Sequence, residues 1–221
     1  MKGRRSDLKE FKYAVFDMDG TVLDSMFIWD RLIDDVLKKL DIGNDLSVRS
    51  DILTLNMEDT ADYLIERFGF SYSNQEMIDI INEEALEQYT RDARPKEAID
   101  RYLDKLHKYG IKTAIVTATD REIADPVLRK FGLYDRFDLI VTCTEEKLDK
   151  NTPEIYLRTF EKLGATDMKD CVVFEDALHC VVTTVGAGLY TVGVEDEVAK
   201  PSADKIRETA DIYITSFEEL L

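Results

Sequence analysis

Two aspartates separated by one residue directly follow a short apolar segment near the start of the chain. Asp17 and Asp19 come after the apolar residues 13–16 and before Gly20, a pattern typical of a buried strand that ends in a turn. Two carboxylates at a strand end can divide the work of phosphoryl transfer, because one attacks phosphorus while the other transfers protons. The spacing therefore indicates phosphoryl-transfer chemistry.

Two other segments place polar residues after apolar runs. Thr117 follows the run 111–116, and the acidic pair Glu175 and Asp176 follows the run 171–174. Open α/β sheets hold their ligands outside the carboxyl ends of the strands. We therefore expect these residues to meet the first two aspartates at one edge of a sheet.

A divalent cation is expected at this edge, because a phosphate dianion repels a carboxylate nucleophile unless positive charge neutralises its oxygens. Mg²⁺ prefers oxygen ligands and usually retains several waters. The candidate ligands are Asp17, a backbone carbonyl near Asp19, and Asp176. Glu175 would either bind the ion directly or contact the residues that bind it. We therefore predict Mg²⁺ as the cofactor.

A hydroxyl and a lysine are expected to complete the neutralisation of the phosphate. Thr117 can donate a hydrogen bond, and Lys150 is the best candidate for the cation, since Thr152 and Pro153 are typical of an N-cap and a first helical position. Lys150 would then lie just before a helix. The predicted catalytic residues are Asp17, Asp19, Thr117 and Lys150.

Alternating apolar runs and helical patterns indicate how these residues are positioned. Short apolar runs recur at 13–16, 111–116, 139–141, 171–174, 190–194 and 212–214. Most are separated by segments with helical periodicity, which is typical of a parallel α/β sheet. Residues 96–109 predict one amphipathic helix, with Pro95 just inside its start and Gly110 just after its end. We therefore expect an α/β fold with a doubly wound, Rossmann-like parallel sheet.

A long helical segment separates the first two apolar runs. Nearly 100 residues lie between these runs, far more than a crossover helix requires, and residues 25–89 have helical patterns throughout. A second helix would begin at Asn56, and a third at Ser73, where Glu76 completes a capping box. We expect an inserted α-helical bundle, or cap, whose joints could act as hinges. The predicted domains are a core of 1–24 with 92–221 and a cap of 25–91.

Composition and charge exclude several classes of protein. The 221 residues, 44% hydrophobic, suffice for one sizeable core and a smaller domain. The net charge of −17 opposes an extended phosphate backbone, so we expect no nucleic-acid partner. An apolar stretch of roughly 20 residues and a signal-peptide pattern are both missing from the sequence, so we expect a cytoplasmic protein without a membrane partner. Three cysteines without a CxxC pair predict reduced thiols.

Together these segments resemble the four motifs of the haloacid dehalogenase superfamily. DxDGT matches at residues 17–21, the Ser or Thr after a strand at Thr117, the lysine before a helix at Lys150, and the acidic pair at residues 175–176. The motifs occur in the order of the family and span essentially the whole chain. The chain is similar to the phosphatase and β-phosphoglucomutase-like branch, whose members carry a helical cap inserted after the first motif.

The resemblance implies a role for each aspartate of the first motif. Asp17 would be the nucleophile. Asp19 would be the general acid and base, protonating the leaving alkoxide and then deprotonating the hydrolytic water. Caps in this family carry the specificity, which makes Arg49 and Asn56 candidates for substrate contacts. The full set of candidate substrate contacts is Gly20, Thr21, Ala118, Arg49 and Asn56.

Two departures from the family pattern are visible. The family often has Gly-Lys-Pro around the lysine, whereas Asp149 and Asn151 flank Lys150 here. After the acidic pair the family commonly has a serine and then a glycine and small residues along the helix, whereas residues 177–184 of this chain are Ala-Leu-His-Cys-Val-Val-Thr-Thr. We expect helix packing after the acidic pair to differ slightly.

The leading hypothesis is a Mg²⁺-dependent phosphatase that hydrolyses a small phosphorylated metabolite through an aspartyl-phosphate intermediate. The first alternative is a phosphosugar mutase of the β-phosphoglucomutase type, which would return the phosphate to the sugar. The second is a phosphate-binding regulatory protein with weak catalysis. We expect a monomer, with a homodimer as the alternative.

Overall fold

The chain divides into two compact units in a computed structural model that describes residues 10–43, 46–52, 55 and 57–221. The core unit comprises Met1–Met26 and Arg94–Leu221, and the helical unit comprises Phe27–Ala93. Each boundary lies two residues after its predicted position. A membrane-spanning helix would have to be longer or more apolar than any helix formed by the described residues.

Parallel strands build the core unit, as predicted. The strands found among the described residues are β1 (Tyr13–Phe16), β2 (Leu23–Asp24), β3 (Arg94–Pro95), β4 (Lys112–Thr117), β5 (Leu139–Thr142), β6 (Cys171–Glu175), β7 (Tyr190–Val194) and β8 (Ile212–Ile214). The main sheet has the order β5-β4-β1-β6-β7-β8, with every described pairing parallel. Strand order runs outward in opposite directions from β1 and β6, so the expected ligand crevice lies at the ends of these two strands.

The two-residue strands β2 and β3 were not predicted. They pair antiparallel, with Leu23 opposite Pro95 and Asp24 opposite Arg94. Along the chain, β2 comes just before the helical unit and β3 just after it. A strand of two residues has no periodicity that a sequence pattern could reveal.

Helices alternate with the strands in the core unit and form the helical unit. Their ranges are α1 (Met26–Lys39), α2 (Leu46–Ile52), α3 (Met57–Phe68), α4 (Asn74–Asp92), α5 (Ile99–Lys108), α6 (Arg121–Lys130), α7 (Cys143–Glu146), α8 (Glu154–Leu163), α9 (Leu178–Gly186) and α10 (Ala203–Thr209). The short helix α2 was not predicted. The capping box of α4 was predicted: Ser73 Oγ accepts the Glu76 N–H, and the Glu76 carboxylate accepts the Ser73 N–H at 2.7 Å.

The sheet is buried on both faces, which confirms the doubly wound architecture. Val15 packs in an apolar cluster with Val173 of β6 and Phe160 of α8. The next residue, Phe16, points to the other face and stacks on Phe174 with ring centroids 4.3 Å apart. Successive residues of a strand point to opposite faces, so β1 contributes to the core on both faces of the sheet.

Helix α5 begins at Ile99, three residues later than predicted, because the preceding chain extends the pairing of β2 with β3. The Lys96 N–H donates to the carbonyl of Val22 at 2.9 Å, and Pro95 lies in β3 instead of the first helical turn. Ala98, just before the helix, has a φ of 63° and a ψ of 10°, in the left-handed region. Alanine is strained there because of its Cβ.

Replacing Ala98 by glycine is therefore expected to stabilise the protein. Relief of the left-handed strain, about 1–2 kcal/mol, outweighs the larger unfolded-state entropy of glycine, about 0.4–1 kcal/mol. The free energy of unfolding in urea should rise by roughly 0.5–1 kcal/mol. The control is Ala124→Gly inside α6, which should lower it by about 1–2 kcal/mol, because glycine disfavours a helix interior and a buried methyl group is lost. A lower stability for Ala98→Gly would contradict the argument.

Candidate active site

A glycine turn at the end of β1 brings Asp176 against the DxDGT segment. The Asp17 N–H still donates to the carbonyl of Phe174 in β6, at 3.0 Å. Gly20 then adopts a φ of 89°, and a Cβ built on it would lie 2.3 Å from Asp176 Oδ2. The turn and the close approach of Asp176 therefore both require glycine. Thr21 donates a hydrogen bond of 3.0 Å to Asp176 Oδ1.

Three buried carboxylates form an acidic cluster at the ends of β1 and β6. One oxygen each of Asp17, Glu175 and Asp176 lies within 4.8 Å of the others. Among the described residues, Glu175 Oε2 is a buried oxygen without a hydrogen-bond partner. A buried carboxylate oxygen without a donor is rare in folded proteins. Three buried carboxylates, one of which has an unpaired oxygen, fit a divalent cation such as Mg²⁺.

Lys150 joins this cluster from the passage before α8. Its side chain is only 9% exposed, and its ammonium contacts Asp17 Oδ1 and lies 3.0 Å from Glu175 Oε1. Burial lowers the pKa of Lys150, but Asp17 and Glu175 outweigh it and hold the pKa well above its usual value. The lysine therefore stays charged. Helix α8 begins at Glu154 with Pro153 as N-cap, one residue later than predicted.

Three ionised carboxylates would carry more charge than one lysine neutralises. Burial raises the pKa of Asp17 well above its usual value; Lys150 opposes this shift, and Glu175 and Asp176 add to it. Burial, together with repulsion from Glu175 and Asp196, raises the pKa of Asp176 to about 7. A bound cation would offset this repulsion, because an opposite charge nearby favours the ionised form of a carboxyl group.

Asp19 has different surroundings from Asp17. Ser25 Oγ donates to its Oδ1 and Thr119 Oγ1 donates to its Oδ2, both at 2.7 Å. The side chain is buried, so these two hydroxyls fix the plane of its carboxylate. Thr117, the last residue of β4, accepts the Thr119 N–H at 2.9 Å and shapes the same loop.

Residues 14–194 match a family model described as haloacid dehalogenase-like hydrolase. The match covers most of the chain and includes every residue of the site described above. This chain is a haloacid dehalogenase-like hydrolase.

Similar proteins span nearly its whole length. Hexitol phosphatase B of Escherichia coli strain K12 is 28% identical over 215 residues, which cover 94% of this chain and 93% of that protein. The phosphorylated carbohydrates phosphatase of Thermotoga maritima is 25% identical over 209 residues, 94% of this chain and 95% of that protein. The crystal structure of beta-phosphoglucomutase from Clostridium difficile has a TM-score of 0.71 at 21% identity and covers 96% of this chain and 93% of that one. At this identity the structural likeness shows the fold alone.

The sequence-based predictions for the site of this hydrolase have different outcomes in the structure. The fold brings eight of the predicted residues to the carboxyl ends of β1, β4 and β6: Asp17, Asp19, Gly20, Thr21, Thr117, Lys150, Glu175 and Asp176. Ala118 is exposed in the loop after β4. Asn56 and the side chain of Arg49 lie outside the described residues.

Two hydroxyl residues of the site were missed. Ser25 and Thr119 are not among the candidate site residues that the sequence predicts. In the structure both hydroxyls donate to Asp19, and Asp120 alone occupies the N-cap position of α6. Thr119 could have been predicted from its position in the sequence, because it lies just after a strand end, where site residues are expected.

Asp149, which flanks Lys150, has a local hydrogen-bond partner. Its carboxylate accepts the N–H of Asn151 at 2.8 Å, which holds the loop before α8. The ammonium of Lys150 contacts Asp17 and Glu175. Lys150 therefore contacts the acidic cluster even though Asp149 and Asn151 flank it in place of the glycine and proline that the family often has.

Proposed function

We propose that this chain is a Mg²⁺-dependent phosphatase that hydrolyses a small phosphorylated sugar or polyol through an aspartyl-phosphate on Asp17. The different surroundings of the two aspartates support this assignment. Asp17 contacts Lys150 inside the acidic cluster, whereas Asp19 is held by two neutral hydroxyls. A nucleophile and a proton carrier need such different environments.

The acidic cluster suits Mg²⁺. Asp17, Asp176 and Glu175 would supply carboxylate oxygens, and a backbone carbonyl near Asp19 a further one. When bound, the ion would supply positive charge that polarises the phosphoryl oxygens. Lys150 would add a second positive charge beside Asp17.

In the first step, an oxygen of Asp17 forms a bond to phosphorus while the bond between phosphorus and the ester oxygen breaks. Asp19 gives its proton to the departing alkoxide, which leaves as an alcohol. Lys150 neutralises charge on the phosphoryl group, and Thr117 donates a hydrogen bond to it. This step leaves Asp17 phosphorylated and Asp19 ionised.

In the second step, Asp19 takes a proton from a water molecule whose oxygen bonds to phosphorus. The bond between phosphorus and Asp17 breaks, which releases phosphate and restores the carboxylate. Ser25 and Thr119 orient Asp19 in both steps. The same carboxyl group therefore acts first as an acid and then as a base.

The substrate class is supported by the named relatives. Two of them are phosphatases of hexitol phosphates and of phosphorylated carbohydrates, respectively, and they align with the chain over nearly its full length. Likeness to a beta-phosphoglucomutase structure concerns the fold and does not favour a mutase.

A substrate panel tests the proposed function. Purified protein with Mg²⁺ is incubated with hexose, pentose and hexitol phosphates, and inorganic phosphate is measured over time. We expect phosphate release from at least one of these esters, and its loss after removal of Mg²⁺ with a chelator. Isomerisation of β-glucose 1-phosphate without phosphate release would indicate the mutase instead. Mg²⁺-dependent ligand binding without turnover would indicate the regulatory alternative.

Added Mg²⁺ is expected to stabilise the folded protein, because it relieves repulsion within the acidic cluster. At 100 times the dissociation constant, the free energy of unfolding should rise by about 2.7 kcal/mol. The midpoint of thermal unfolding should then rise by roughly 5–10 °C, measured by differential scanning fluorimetry. In Asp176→Asn, the same Mg²⁺ concentration should give a smaller shift. An equal shift in both proteins would place the cation elsewhere.

A further inference from the structure

Tyr156 is a buried hydrogen-bond partner of the acidic cluster that the catalytic scheme does not use. It lies in the first turn of α8, six residues after Lys150, and its side chain is 0% exposed. Its hydroxyl donates a hydrogen bond of 2.8 Å to Glu175 Oε1. The same oxygen accepts the Lys150 ammonium at 3.0 Å. One segment of chain therefore places two donors on one carboxylate oxygen.

The two oxygens of Glu175 consequently have different surroundings. Oε1 accepts two hydrogen bonds, whereas Oε2 is buried and has no hydrogen-bond partner among the described residues. Such an oxygen is costly to bury unless a cation or a donor satisfies it. Glu175 is one of the three residues whose oxygens lie within 4.8 Å of one another. Fixing Oε1 thus fixes the orientation of the whole Glu175 carboxylate, including its unpaired oxygen, at the acidic cluster.

Lys150 alone is a weak constraint on this carboxylate. A glutamate side chain has several rotatable bonds, and Lys150 divides its contacts between Glu175 and Asp17. The Tyr156 ring is packed in the apolar cluster of the sheet, so its hydroxyl is held rigidly.

We propose that Tyr156 is a positioning residue for the divalent cation, whose hydroxyl fixes Glu175 so that Oε2 is presented to the ion. This inference rests on the cation site of the proposed function. Groups that orient metal ligands set affinity as well as geometry, and their loss typically weakens binding about 10- to 100-fold. Tyr156 thereby acts through Glu175 and touches neither substrate nor cation.

Isothermal titration of the substrate-free protein with Mg²⁺ tests the proposal. Tyr156→Phe keeps the ring and removes the hydroxyl, and it should raise the Mg²⁺ dissociation constant about tenfold. The matched control is Tyr13→Phe, because the Tyr13 hydroxyl donates to the Gly164 carbonyl at 2.9 Å near the opposite end of β1. The control should bind Mg²⁺ within about twofold of the unmodified protein. Metal-free thermal unfolding shows that each variant is folded before titration.

A second pair of variants separates positioning from a general loss of packing. In the Glu175→Gln background, adding Tyr156→Phe should change the dissociation constant by less than about twofold, because residues that act together are not additive. A packing defect would weaken binding equally in both backgrounds, and that result would overturn the proposal. So would a Tyr156→Phe variant that binds Mg²⁺ as the unmodified protein does. Failure of the unmodified protein to bind Mg²⁺ would overturn the proposed Mg²⁺ dependence together with this inference.

Discussion

Replacing Asp17 by asparagine is expected to lower kcat/KM for phosphate release by about 10⁴-fold or more, because the amide cannot attack phosphorus. In the structure, Asp17 contacts Lys150 and lies in the acidic cluster with Glu175 and Asp176. The substitution therefore removes the bond-forming atom and one carboxylate of the cation site together. Steady-state assays with the best substrate of the panel measure the loss.

This loss should occur in a folded protein. The raised pKa of Asp17, caused by burial and by Glu175 and Asp176, means that its charge destabilises the metal-free fold. Metal-free Asp17→Asn should therefore unfold at the same temperature as the unmodified protein or at a higher one. The matched control is Asp135→Asn, the same chemical change on an exposed turn before β5, which should keep full activity. Unchanged activity in Asp17→Asn would refute the assignment of Asp17 as the nucleophile.

Replacing Asp19 by asparagine is expected to have effects that depend on the leaving group. A sugar alkoxide needs a proton to leave, so its kcat/KM should fall about 10³-fold. Acetyl phosphate releases a stable carboxylate, so its kcat/KM, which reports the first step, should fall by no more than about tenfold. Values of kcat should fall for both substrates, by about 10²- to 10³-fold, because both need Asp19 to activate water.

Kinetics with the two substrates distinguish an acid and base from a group that only maintains the site. If Asp19 served structure alone, kcat/KM would fall by the same factor for the sugar phosphate and acetyl phosphate. Ser25→Ala provides a milder comparison, since it removes one of the two hydroxyls that hold Asp19 and leaves its carboxyl group in place. Its loss should be smaller than that of Asp19→Asn for the sugar phosphate.

The sheet and the acidic residues at its edge were predictable because each depends on a local pattern. β1, β4 and β6 are apolar runs, as expected for strands buried on both faces. Residues just after such runs must emerge at the same edge of a parallel sheet. The sequence therefore predicts that Asp17 and Asp176 lie close together, and in the structure an oxygen of one lies within 4.8 Å of an oxygen of the other.

The parts that were missed depend on contacts between distant segments. Thr119 and Asp19 are 100 residues apart, and a threonine after a strand looks like an ordinary helix cap in the sequence. A tyrosine on the apolar stripe of an amphipathic helix is predicted to be a core residue. The sequence pattern therefore does not indicate that the hydroxyl of Tyr156 contacts Glu175. Pro95 was predicted to lie at the start of a helix, but it lies in β3 because it pairs with Leu23 of β2.

Trapping of the covalent intermediate identifies the residue that attacks phosphorus. Asp19→Asn is mixed with acetyl phosphate and Mg²⁺, quenched in acid, digested and analysed by mass spectrometry. Because this variant forms the aspartyl-phosphate but hydrolyses it slowly, we predict that the peptide containing Asp17 gains the mass of one phosphoryl group and loses it on treatment with hydroxylamine. Phosphoryl label on another residue, or turnover without any label on this peptide, would contradict Asp17 as the nucleophile.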